Sequence, residues 1–154
     1  MTTKFQSMLM SNKNTYKIVD DTDFIAETSF LNSIAGILNS GVDVLELKFN
    51  HLSSAEILSV SQKTRELCSY FNSLLIIFDR IDIAKLVEAD GVALNFNTIS
   101  PIVAKKLIED ALLIGFELYD INDLASVSNS EIDFFVSENE FFCSNKKIFI
   151  TNLQ

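Results

Sequence analysis

Glu46, Lys48 and Asn50 stand at alternate positions in and just beyond the apolar run Val42–Phe49. In a β-strand, alternate residues share one face, so a strand here brings a carboxylate, an ammonium and an amide to one place. Parallel strands covered on both faces are usually near-continuously apolar. Polar alternation therefore points to an accessible pocket, with a Glu46–Lys48 pair filling space in the sheet as the plainer reading. Asp79 closes a second apolar run, Leu74–Asp79, and is followed by Arg80 and Asp82. Carboxylates at such a junction cap the next helix and favour its positive end. Asp20, Asp21 and Asp23 crowd one turn, where Asp commonly caps or turns the chain and a metal cluster is the rarer use. His51 is the only imidazole and reads as a lone surface residue before a helix start. Cys68 lies on the apolar stripe of a helix and reads as an inert core thiol. Cys143 falls in a loop with no His or Lys placed by sequence to activate it.

The elements that must position these groups alternate. Strands are expected at Tyr16–Asp20, Val42–Phe49, Leu74–Asp79, Gly91–Asn95, Leu112–Leu118, Ile132–Val136 and Lys147–Thr151. Helical periodicity fills 28–40, 53–71, 80–88, 100–110 and, weakly, 121–128. The second helix has Ser53 and Ser54 as N-cap candidates and an apolar stripe through Ile57, Val60, Leu67, Cys68 and Phe71. Gly41 suits a left-handed cap after the first helix, and Pro101 behind Ser100 suits the first turn of the fourth. Strands separated by single helices form βαβ units and hence a parallel sheet with right-handed crossovers. Residues 1–15 are polar and read as an N-terminal arm, leaving 16–154 as one domain.

Composition sets limits on function. The chain has 154 residues, 21 acidic against 12 basic, and a net charge of −9. Phosphate backbones require a basic face, so neither nucleic acid nor an anionic membrane is an expected partner. One His and two distant Cys make no zinc cage and no disulfide framework, which suits a reducing cytoplasm. No apolar run reaches the ~18 residues of a spanning helix, and the stretch 1–15 lacks the apolar region of a signal peptide.

Tyr16–Asp20, Gly41–Lys48 and above all Leu75–Ala84 continued by Ala89–Leu94 (Ala-Asp-Gly-Val-Ala-Leu) resemble, in order and spacing, thiamine-phosphate synthase and its relative the thiazole tautomerase. The resemblance covers roughly 16–137 and implies an α/β, TIM-barrel-like parallel sheet, truncated relative to a full (β/α)8 barrel. It also implies a transferase of thiamine biosynthesis, joining a pyrimidine pyrophosphate to a thiazole phosphate with Mg2+. The family's Gln-x-Arg-x-Lys falls on Glu46-x-Lys48-x-Asn50, and its Asn-Asp-Arg turn on Phe78-Asp79-Arg80. The second metal carboxylate falls on Thr98, and the strand-five polar positions on Glu117, Leu118 and Tyr119.

The resemblance thus nominates Glu46, Lys48, Asn50, Arg80, Glu117 and Tyr119 for substrate and Asp79 with Thr98 for metal. The replacements put a carboxylate where phosphate oxygens should come, and Lys48 cannot reproduce the two-pronged grip of Arg. Activity is therefore expected to be weak or lost; the alternative is a catalytically silent relative that binds a small ligand or a partner. The basic run Ser144–Lys147 is either a faint echo of a phosphate loop or a solvated run. Phe134, Phe135, Phe141 and Phe142 read as core or as subunit interface, and a homodimer built on this end of the chain is expected.

Overall fold

The computed structural model describes residues 15–120, 122–127, 130–138 and 147–151. The N-terminal arm expected over 1–15 lies outside them except for Thr15, as do Phe141, Phe142, Cys143 and Ser144–Lys146.

Seven strands form one sheet: β1 (Tyr16–Asp20), β2 (Val44–Lys48), β3 (Leu74–Phe78), β4 (Gly91–Leu94), β5 (Leu113–Leu118), β6 (Phe134–Ser137) and β7 (Lys147–Ile150). They pair in sequence order, and every pair is parallel. The helices α1 (Glu27–Asn39), α2 (Ser54–Phe71), α3 (Ile81–Leu86), α4 (Pro101–Ile108) and α5 (Asp123–Ser126) occupy the crossovers between β1 and β6. The architecture is the expected truncated TIM-barrel-like sheet.

Local chemistry accounts for the boundaries. Ser53 caps α2 in a reciprocal box, accepting the Glu56 N–H while Glu56 Oε1 accepts the Ser53 N–H. Ser100 accepts the Val103 N–H ahead of Pro101. Gly41 takes φ +100° just past α1, a conformation glycine alone adopts without strain. The second strand starts two residues later than its apolar run because Gly41–Asp43 turns the chain. The sixth shifts to Phe134–Ser137 because Asp133 accepts the Ile114 N–H ahead of it. Within the weak helical stretch 121–128 the described residues form the single turn of α5.

Strand alternation divides the core in two. Leu45, Leu47, Leu75, Ile77, Val92, Leu94, Ile114, Phe116 and Phe135 belong to the cluster that packs against the helices. Tyr16, Val44, Leu74, Ile76, Ala93, Leu113, Phe134, Val136 and Phe149 form a second cluster, facing the inside of the curl. The curl brings the outer strands close. The Tyr16 ring of β1 lies 5.1 Å from the Phe149 ring of β7, and Phe134 lies 5.5 Å from Phe149. Phe134 and Phe135 are wholly buried, Phe134 inside the curl and Phe135 against the helices, which is the core placement of the core-or-interface reading.

Candidate functional site

The inward positions of β2 and β5 carry Glu46, Lys48 and Glu117 among apolar neighbours, and strand alternation alone places them there. The ammonium of Lys48 donates to both oxygens of Glu117, at 3.0 and 2.9 Å. It also lies 4.5 Å from the centre of the Phe78 ring, where the ring face attracts a cation. The Tyr119 hydroxyl donates to Glu117 Oε1 at 2.5 Å, and Asn95 Nδ2 donates to the Tyr119 oxygen at 3.1 Å. Glu117 is therefore the hub of a network that occupies the lysine.

Beneath it Glu46 is fully buried. Tyr16 donates its hydroxyl to Glu46 Oε1 at 2.5 Å, while Oε2 has no hydrogen-bond partner among the described residues. Burial pushes the Glu46 carboxyl up to about 7, aided by the charge of Glu117 and opposed by the Tyr16 hydrogen bond and Lys48. Burial and the neighbouring Glu46 likewise hold the Tyr16 phenol protonated well above its ordinary range. At Tyr119, burial and the bond to Glu117 raise the phenol to about 12, so it is not a base near neutral pH.

A cavity of about 400 Å3 opens at the C-terminal ends of the strands, lined among others by Lys17, Asp20, Lys48, Asn50, Glu117 and Tyr119. Four of the six residues nominated for substrate therefore come together there, and Glu46 lies below them. Arg80 does not join them: its guanidinium forks onto Asp82, at 2.9 and 2.7 Å, and reaches Ser54. Asp79 takes φ +65° and does not cap α3, whose N-cap is Arg80 with no side-chain capping bond. That corrects the capping expectation.

Thr98 spends its hydroxyl within its own turn, accepting the Asn95 N–H and donating to a turn carbonyl. Among the described residues, no three His, Cys, Asp or Glu side chains are grouped to hold a metal ion. Mg2+ is usually held by one or two carboxylates beside substrate phosphates, so Asp79 is the residue of the pair that would hold the ion, while the Thr98 hydroxyl is engaged in its turn.

The acidic turn also has a structural role. Asp21 accepts the backbone N–H groups of Asn50, His51 and Leu52, the shortest at 2.7 Å. Burial opposes ionisation of Asp21, but these three donors outweigh it and hold the carboxyl below its usual range. Tyr16, Asn95 and Phe78 join the network without being candidate site residues in the sequence, Phe78 standing there only as the replacement of the family's Asn. Their one signal is parity, since each stands on the inward register of its strand or just beyond it.

The fold and the mouth define an α/β barrel-type protein whose candidate site lies at the C-terminal ends of parallel strands, where such folds place their sites. The sequence model described as thiamine monophosphate synthase matches residues 15–148, and the chain belongs to that family. It is 28% identical over 123 residues to thiamine-phosphate synthase 1 of Aquifex aeolicus, covering 80% of this chain and 57% of that one. It is 30% identical over 105 residues to a thiamine-phosphate synthase of Campylobacter jejuni, covering 68% and 50%. The chain thus spans about half the length of the relatives it matches. Thiamine phosphate pyrophosphorylase from Pyrococcus furiosus superposes with a TM-score of 0.73 at 23% identity, over 84% of this chain and 62% of that one; this establishes the fold. Among the described residues no helix is long and apolar enough to cross a membrane.

Proposed function

We propose that the chain is a thiamine-phosphate synthase-like protein of thiamine biosynthesis whose transferase activity is weakened or lost. Joining a pyrimidine pyrophosphate to a thiazole phosphate requires the leaving group's charge to be neutralised as its bond breaks. The observation that carries the reading is the bidentate hold of Glu117 on Lys48. It neutralises the one cation that the second strand offers to a phosphate. Arg80 is turned away onto Asp82, and the Thr98 hydroxyl is engaged within its own turn.

The test mixes purified protein with both substrates and Mg2+ and measures thiamine phosphate. The expected result is formation at or barely above a blank, because loss of even one stabilising donor costs about 10²–10³-fold in rate. Glu117→Gln, which releases Lys48, should make pyrophosphate raise the melting temperature where the wild type shows no shift. Robust wild-type turnover abolished by Asp79→Ala would overturn the loss of activity and retain the transferase. An E117Q variant as indifferent to pyrophosphate as the wild type would remove Glu117 as its cause.

A further inference from the structure

We infer that residues 1–14 fold back from Thr15 along the free edge of β1 and extend the sheet there as an antiparallel edge strand. Among the described residues, β1 has one neighbour, β2. The Val44 N–H donates to the Thr15 carbonyl, so the backbone groups of Thr15, Lys17 and Val19 turn to β2. Those of Tyr16 and Ile18 point the other way, because successive residues of a strand present their N–H and C=O to opposite edges. Tyr16 is only 5% exposed, and backbone groups placed so deeply are almost always paired. Strand β7 stands across the gap, with its Phe149 ring 5.1 Å from that of Tyr16, yet it forms no ladder with β1. A cavity of about 460 Å3 runs along the same edge, lined among others by Lys17, Ile18, Val19 and Asp20 of β1 and by Phe30 and Ile37 of α1. Four consecutive residues of one strand share a cavity only where it wraps the strand's edge, since alternate residues face opposite sides.

Reach, pattern and charge select this segment as the occupant. It joins the sheet at Thr15, directly before β1. The five residues of β1 span about 17 Å, and fourteen extended residues reach about 46 Å, so half the segment suffices to retrace the strand. Ser11, Asn12 and Asn14 are turn formers, set between Phe5–Met10 and Thr15. A four-residue connection over 11–14 returns the chain antiparallel. Phe5, Met8, Leu9 and Met10 then bring apolar side chains to the edge. The segment holds Lys4 and Lys13 and no acid, while all 21 acidic residues lie in the rest of the chain. Asp20 and Asp23 line the cavity, so attraction favours the contact. An antiparallel strand on the edge of an otherwise parallel sheet is a common arrangement, and a lysine on it discourages further pairing. Lys17, Ile18 and Asp20 also line the mouth cavity, so the added strand borders the candidate site.

The test is residue-resolved hydrogen exchange on the full chain, with the double variant Ser7→Pro, Met8→Pro and the control Thr2→Pro. Adjacent prolines remove donors toward both edges and fit no paired strand. In the wild type and the control the amides of Tyr16 and Ile18 should be protected. In the double variant they should exchange at least tenfold faster, while those of Lys17 and Val19, which face β2, keep their rates. Four amides that speed up equally overturn the inference, because that pattern reports a general loss of stability rather than a lost edge partner. Wild-type Tyr16 and Ile18 amides that exchange as fast as those of an open loop overturn it too, as does protection that survives the prolines. Protection that grows with protein concentration, alongside a dimer in sedimentation, also overturns it and assigns the edge to a second copy.

Discussion

Glu46 is the residue at which the interior of this protein departs furthest from an ordinary barrel core. Its carboxyl is fully buried, and one oxygen has no hydrogen-bond partner among the described residues. An unpaired buried charge costs several times more than an unpaired neutral hydroxyl, so the group keeps its proton up to about pH 7. The consequence for stability has a definite sign. The folded chain holds this proton more tightly than the unfolded chain, so the contribution is fully present below the unfolded value near 4.5. It is lost as pH rises through about 7. Glu46→Gln removes the titration while keeping an oxygen for the Tyr16 hydroxyl. The stability of the wild type relative to E46Q should therefore fall by roughly 2–3 kcal/mol between about pH 4.5 and pH 8. Urea unfolding of both proteins across that range measures it, and a pH-independent difference would reject the assignment.

Among the elements, the loop from β2 to α2 owes its position to Asp21 at the far end of β1. Three backbone N–H groups converge on that one carboxylate, and His51 enters the arrangement only through its backbone. Asp21→Asn leaves one oxygen where two accept and introduces a donor facing donors. It should cost about 1–3 kcal/mol, as an unsatisfied buried group does, read as a lowered urea midpoint at neutral pH. Because the folded carboxyl titrates below its usual value, the difference between the two proteins should shrink as pH falls through that folded value. A midpoint within error of the wild type would show that the loop holds itself. This contact also marks what could be read from the sequence. The seven strands, the Ser53 and Ser100 caps and the Gly41 turn follow from local chemistry, and the sequence order of the strands follows from short single-helix crossovers. The convergence of Glu46, Lys48 and Glu117 needed only parity and a parallel sheet. The partners Tyr16, Asn95 and Asp21 depend on how far the sheet curls and on which loop lies over which strand end, and no local pattern encodes either. Arg80 stands apart from the other candidates because Asp82, two residues on, offers its guanidinium a carboxylate at 2.7 Å.

Over the whole molecule, closure of the curl depends on rings rather than backbone. Among the described residues, β1 and β7 share no ladder hydrogen bonds, while Tyr16, Phe134 and Phe149 stack across the interior between them. Gly115 on β5 makes room for this stack. A Cβ at that position would lie 2.4 Å from Cε2 and Cζ of Phe134, well inside contact distance. The Phe134 ring is itself fully buried, so it can yield only by pushing Phe149 and Tyr16 outward. Gly115→Ala should therefore destabilise the protein by about 1–3 kcal/mol, the usual cost of overpacking a filled core. The damage should also be uneven. Amides of β1 and β7, which meet through the displaced rings, should lose protection in hydrogen exchange before those of β3 and β4, which are hydrogen-bonded on both sides. Phe134→Leu added to G115A should restore part of the loss, because removing ring atoms relieves the clash that the new methyl creates. A Gly115→Ala protein with unchanged melting, or a double variant whose losses simply add, would show that the ring stack does not hold the curl closed.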